Sequence, residues 1–476
     1  MFLDRDKVFA YIDQHSSEHV EKLQELVRQP SVSPENKGIR ECARLVLRYF
    51  RDLGYESSLV ETSGNPIVYG RCDAGASKTI VVYMMYDTMP AEEKGWKVDP
   101  FAGALLEQPP FGRCLVARGA SNTKGELRGF LNACESIKAT GQKLPVNLLL
   151  VAEGEEEVGS PSLPEFVKDH TKELAEADAV FFPACDQEAG GEVGHWLGVK
   201  GIVYLELELD GANWDKGPKE FGIHGSLKSV VDNPVWRMVQ ALATMTGPDG
   251  NKVLVKDLFR DAAEPDKDDM MLLDRLEKTW TPQREQELKD AYKINSFVNG
   301  VTGVEMLKRD MFTPTLNIDG MWGGYTGEGT KTLLPHKVTV KMDVRLVPRM
   351  KSEAVLPLIR KHLDSRGFQE IRIRQMECYD WSRTSYKHPA AQAVLKAYRE
   401  MGVEPEVWPM LSASAPFYLF NREPVNLPVV MGGLGYGALA HSPNEYIVID
   451  EGGPTGGLRT LEKSYVAMLD NFSRMS

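Results

Sequence analysis

Four short apolar runs each place acids or an imidazole at or just beyond their carboxyl ends. TIVVYMMYD (79–87) closes on Asp87, and VNLLLVAE (146–153) leads into GEEEVGS with Glu155, Glu156 and Glu157. DAVFFPACD (178–186) closes on Asp186, and NLPVVMGG (426–433) runs through a glycine-rich loop to His441 in AHSPNE. Carboxylates gathered around an imidazole can hold a divalent cation, or one of them can move a proton while the others tune it. Two like charges about 4 Å apart repel by roughly 4 kcal/mol at an effective dielectric of 20, so such a cluster needs metal ions, basic side chains or protons to offset it. Singly, each residue has an ordinary explanation: a solvated turn for the EEE run, a helix cap for the aspartates, a surface or satisfied core residue for the histidine. Their shared position is what points to chemistry.

The elements that must carry these residues are legible in the hydrophobic pattern. Continuous apolar runs mark strands buried on both faces. Between them Cys42, Leu45, Val46, Tyr49, Phe50 and Leu53, and again Leu127, Phe130, Leu131, Cys134 and Ile137, recur at the three- and four-residue steps of amphipathic helices. Alternating strand and helix predicts an α/β fold with a mostly parallel sheet, whose ligand crevice lies beyond the carboxyl ends of the strands. From about residue 200 the period changes: GIVYLELELDG and KVTVKMDVRLVP alternate apolar and polar residues, as strands of an antiparallel sheet with one wet face do. Residues 1–199 and 386–476 are therefore expected to form a discontinuous catalytic α/β domain, and residues 200–385 an inserted α+β lid or dimerisation domain. Residues 246–300, rich in Pro, Gly, Asp and Lys, carry no assignable pattern.

Composition excludes several function classes. The formal net charge of -12 offers no general attraction to nucleic acid or anionic lipid. The chain nowhere approaches the roughly 20 uninterrupted apolar residues of a membrane span, and its start carries charges through every window, which predicts a cytoplasmic protein. Six cysteines lack CxxC pairing and read as reduced and mainly structural.

The segments YMMYDTMP, GWKVDPF, ARGASNTKG, EGEEEVGS, ACD, IHGS, VRLVPRM and AHSPNE resemble, in order and spacing, the family of carnosine dipeptidases, carboxypeptidase G, acetylornithine deacetylase and succinyl-diaminopimelate desuccinylase. The resemblance runs from SVSP near residue 31 to the end of the chain and is strongest to the carnosine dipeptidase branch. It implies a catalytic α/β domain interrupted by a lid domain, and two zinc or manganese ions sharing a bridging carboxylate. In that scheme Glu156 is the general base, Glu157 and His441 are ligands of one metal, and Asp186 serves the other. His224 in IHGS corresponds to a lid histidine that stabilises the oxyanion, often in the neighbouring subunit's site, which implies a homodimer. Arg345 grips a substrate carboxylate, and Ser414 in SASAP lies in a substrate-binding loop.

Two departures stand out. The family's metal-binding histidine, two residues before Asp87, is here Met85, and the bridging aspartate of the Asp-Asp-Lys-Gly loop is here Asn122. A thioether is a poor ligand for zinc or manganese, and a neutral amide cannot bridge two cations. A two-metal centre is therefore not expected, and one Zn or Mn ion or none is; Asp87 and Asn122 become free to contact substrate. Three functions fit: a hydrolase of amide or peptide-like bonds in small carboxylate-bearing substrates, a metal-independent isomerase or lyase in which Glu156 transfers a proton, and a non-catalytic ligand-binding relative.

Overall fold

The computed structural model describes residues 3–475. The β-branched and aromatic runs form a six-stranded sheet in the order Glu56–Val60, Ile67–Cys72, Asn147–Glu153, Thr79–Met85, Ala179–Pro183, Val429–Gly432. The last four are mutually parallel, and the first two add an antiparallel edge. The third apolar run ends at Pro183, so Asp186 lies three residues past its strand rather than at its tip. Register sets the site: Met85 pairs with Glu153, and the Tyr86 N–H donates to the Glu153 carbonyl at 2.8 Å, carrying Asp87 and the Glu155–Glu157 turn off the sheet side by side.

Helices Ile39–Asp52 and Lys124–Ala139 form where the helical period predicts them, and Pro389–Glu400, opened by a Pro in its first turn, and Leu458–Arg474 join them. The Lys124–Ala139 helix departs from the amphipathic expectation. Both its apolar stripe and Lys124, Glu126, Arg128, Asn132 and Ser136 are buried, because it packs against Ser16–Arg28 and Leu458–Arg474. Its polar side chains are matched across that layer: Arg128 donates to Asn132, and Asn132 and His19 both bond Glu462, at 2.7 and 2.8 Å.

The alternating segments form a separate antiparallel sheet in the order Thr315–Gly323, Lys337–Leu346, Gly201–Asp210, Arg372–Tyr379. Its strands all lie within the stretch read as a lid, and its buried face, including Val203, Leu205, Val340 and Val344, packs on Pro234–Leu242 and Val355–Ser365. The unassigned segment contains helices Lys267–Glu277 and Pro282–Tyr292. With Gly303–Phe312 they pack Leu273, Leu276, Met306 and Phe312 against Trp408 and Met410, on the catalytic side of the molecule. No helix among the described residues is long and apolar enough to cross a membrane.

Candidate active site

Asp87 is fully buried, and its two carboxylate oxygens accept the backbone N–H groups of Glu156 and Glu157 at 3.2 and 3.1 Å. It thereby fixes the one-turn Glu156–Val158 helix that presents both glutamates. Burial pushes the Asp87 carboxyl up to about 7, with Glu157 adding to the rise and the N–H donors opposing it. Glu153 behind it is pushed up to about 8, again chiefly by burial, and its carboxylate accepts from Tyr83 and Ser160. Burial, then the charges of Glu157, Asp87, Glu153 and Glu377, raise Glu156 well above the ordinary range. Among the described residues no hydrogen bond or ion pair engages the Glu156 side chain.

Glu157, His441 and Asn122 meet at one point. The Asn122 amide nitrogen lies 2.7 Å from Glu157 Oε1 and 2.9 Å from His441 Nε2, and His441 Nε2 lies 2.9 Å from Glu157 Oε2. The hydrogen bond to Glu157, opposed by burial, raises the imidazole's affinity for its proton. The loop carrying His441 turns through left-handed backbone at Leu439, His441 and Asn444 (φ 62°, 59° and 65°). Conformations of that kind cost of order 1–3 kcal/mol each and persist only where neighbours hold them. Asn444 is held by the GWKVDPF segment, accepting from the Lys97 N–H at 2.7 Å and donating to the Gly95 carbonyl at 2.9 Å. Glu445, fully buried, accepts from Ser121 N–H, Asn122 N–H and Arg118 Nη1 at 3.0, 2.9 and 2.8 Å, and so locks the Asn122 loop to the His441 loop. Sequence reasoning assigned Glu445 and Arg118 no role; their presence in AHSPNE and ARGASNTKG was the available signal.

Asp186 is not brought to this point. Its Oδ2 accepts from Tyr398 at 2.7 Å and lies 3.3 Å from His195 Nδ1, all in the buried core. The two residues separating it from its strand, Ala184 and Cys185, carry it into the layer formed by Pro389–Glu400. Arg345 and Ser414 are brought together: Arg345 Nη1 donates to Ser414 Oγ at 2.9 Å, and Asp343 lies 3.4 Å from Arg345 Nε. Lys200, missed from sequence, pins this corner. Its Nζ donates to the Thr313 carbonyl at 3.0 Å, its N–H bonds the Leu411 and Ala413 carbonyls, and burial pulls its amine down to about 8. His224 is exposed on the short Ile223–His224 strand of the lid, with Nδ1 2.7 Å from Ser226 Oγ.

The family model described as "Peptidase family M20/M25/M40" matches residues 82–456, which contain every candidate site residue. The chain belongs to this peptidase family. Within M20, it is similar to the Cys-Gly metallodipeptidase dug1 of Schizosaccharomyces pombe, 28% identical over 482 residues, covering 94% of this chain and 96% of that protein. It is also similar to the Beta-Ala-His dipeptidase of Mus musculus, 26% identical over 442 residues, covering 84% and 83% of the two chains. An M20 family metallo-carboxypeptidase from Sulfolobus solfataricus superposes with a TM-score of 0.86 at 30% identity, covering 96% of this chain and 99% of that one. Human carnosine dipeptidase 1 shares the fold, with a TM-score of 0.76 at 24% identity over 99% and 100% of the two chains.

The M20 family and the metallodipeptidase names of its members imply a metal. The donors present do not fit a metal pair. Glu157 and His441 converge, but the third group between them is an amide whose nitrogen faces both, and Asp186 is committed to Tyr398 and His195. Among the described residues, no three His, Cys, Asp or Glu side chains stand together in a way that could hold a metal ion.

Proposed function

We propose that this M20 protein is a cytoplasmic, homodimeric hydrolase of amide or peptide-like bonds in small carboxylate-bearing substrates, with a metal centre reduced to one ion or none. The observation that carries the reading is the division of labour among the acids. Asp87 is occupied by two backbone donors, Glu157 by Asn122 and His441, and Asp186 by Tyr398 and His195, which leaves Glu156 as the uncommitted carboxylate. A base free to accept a proton, on a turn whose backbone Asp87 holds, suits removal of a proton from a water attacking an amide carbon. The Arg345 guanidinium, oriented by Asp343 and Ser414, is suited to hold the substrate carboxylate by paired N–H donors. The dipeptidase names of the relatives support the bond class.

His224 reaches no acid of its own chain's site through any described hydrogen bond or ion pair, which favours service in a neighbouring subunit. The lid carries the surface such a neighbour would cover: Trp236, Phe221 and Val230 are 61%, 68% and 77% exposed, and Ile318, Met321 and Trp322 project from the edge strand Thr315–Gly323. A panel of dipeptides and N-acyl amino acids tests the function, each paired with its carboxamide. Hydrolysis of the free acids, and its loss for the amides, is the expected outcome. Absence of hydrolysis across the panel, with or without added zinc or manganese, would remove the reading.

A further inference from the structure

A groove of about 1370 Å³ opens between the catalytic side and the 279–316 segment, outside the cluster of acids. It exceeds the roughly 300–1,000 Å³ of sites that hold drug-sized ligands. Part of its wall is aromatic. Trp196 and Trp408 are register partners on the parallel strands Gly194–Trp196 and Glu406–Trp408, so their side chains leave the same face of strands about 5 Å apart. Trp280 meets Trp408 edge to face, with ring centres 5.9 Å apart, and Phe297, packed on the same apolar cluster, also lines the groove. Trp280 is itself held in place: Arg284 lies over its ring at 5.1 Å while gripping Glu406 with both terminal nitrogens at 2.8 and 2.9 Å.

One end of this groove adjoins the carboxylate corner, whose own residues Arg345 and Ser414 are next to lining residues rather than among them. Thr313, Thr315 and Ser412 line the groove; Thr315 is the ladder partner of Arg345, Thr313 receives the Lys200 amine, and Ser412 lies two residues before Ser414. A molecule whose carboxylate is held by Arg345 has a continuous path past Thr315 into the groove that carries the tryptophans. From this continuity we propose that the groove is a specificity subsite for a large aromatic side chain on the carboxylate-bearing residue of the substrate. The substrate class is thus peptides or N-acyl amino acids ending in a bulky aromatic residue. Glycine or alanine in that place leaves the wall uncovered. The inference rests on the proposed role of Arg345 as the carboxylate holder, and not on the bond being hydrolysed.

Calorimetric titration with 3-(2-naphthyl)propionate and with propionate tests it directly, because neither compound has a bond to cleave. The naphthyl acid is expected to bind at least about tenfold more tightly than propionate, a difference of about 1.4 kcal/mol. Trp408→Ala should remove most of that advantage, and Arg345→Met should weaken both acids. Trp280→Ala, whose side chain is contributed from the segment opposite, gives a second reading should Trp408→Ala lower the melting temperature, and Trp408→Phe should recover part of the preference. Equal binding of the two acids, or a preference untouched by both tryptophan substitutions, would overturn the proposal. A clear preference in binding without turnover of any aromatic-ended peptide would leave the subsite standing and refute the hydrolase reading instead.

Discussion

Replacing Asn122 by aspartate changes one atom at the point where three side chains meet. In the native protein the amide nitrogen donates to Glu157 Oε1 at 2.7 Å. Asn122→Asp turns that attraction into a repulsion between two carboxylates, worth roughly 6 kcal/mol at that separation for an effective dielectric of 20 and roughly 1.5 kcal/mol in bulk water. The His441 side chain is 51% exposed while Glu157 is 5% exposed, so the value falls between those limits. A protonated His441, 2.9 Å from the same amide nitrogen, offsets part of it. A net loss of about 1–3 kcal/mol in the presence of chelator follows. A divalent cation reverses the sign, since two carboxylates and an imidazole then surround it, and a metal at a hundred times its dissociation constant returns about 2.7 kcal/mol. Differential scanning calorimetry of parent and variant, each in chelator and in excess zinc or manganese, measures both effects. The variant should melt below the parent in chelator and gain more from metal, and adding Met85→His should enlarge that gain. A variant as stable as the parent in chelator, with the same metal response, would show that Asn122, Glu157 and His441 do not share one point.

Glu156→Gln retains shape and removes the proton acceptor, and turnover should fall by about 10²- to 10⁴-fold in steady-state assays; unchanged turnover would exclude Glu156 as the base. If His224 serves the neighbouring subunit, mixing Glu156→Gln and His224→Ala protomers should recover roughly a quarter of parental activity, since random exchange makes half the dimers mixed and each has one intact site. No recovery would place His224 in its own chain's site or outside the chemistry. Burial pushes Glu126 up to about 8, and its Oε2 has no partner. The unfolded chain releases this proton near the ordinary carboxylate value and the folded chain only near 8, so between those values the folded state binds more protons and stability falls as pH rises. Glu126→Gln should therefore melt a few degrees above the parent at pH 8 and converge with it near pH 5, and a constant difference across that range would contradict the assignment.

Much of this could be read from residue types, and the failures have local causes. The parallel strands were legible because runs such as TIVVYMM and NLLLVAE are buried on both faces, and the lid strands because Val203, Leu205 and Leu207 alternate with polar neighbours. Arg345 and Ser414, 69 residues apart, were assigned to one ligand and are hydrogen-bonded to each other. Asp186 was not legible. Whether an acid three residues past a strand turns toward the crevice or into the helix layer depends on Tyr398 and His195, which lie far along the chain or on another element. Residues 246–300 hid their helices because few of their positions are buried, although Asp266 and Thr281-Pro282 were usable start signals that do cap Lys267–Glu277 and Pro282–Tyr292. Asp87 could be placed but not explained, since only the folded chain shows that the backbone of Glu156 and Glu157 occupies both its oxygens.

The proposed reduction of the metal centre is tested most directly by counting metal. Protein purified without added metal, dialysed against excess zinc or manganese and then freed of loosely held ions, can be analysed by mass spectrometry of the elements alongside its chain concentration. The expected result is no more than one equivalent per chain, lost on Glu157→Ala or His441→Ala. Two tightly held equivalents would contradict it and would require ligands that Met85, Asn122 and Asp186 do not supply in this arrangement.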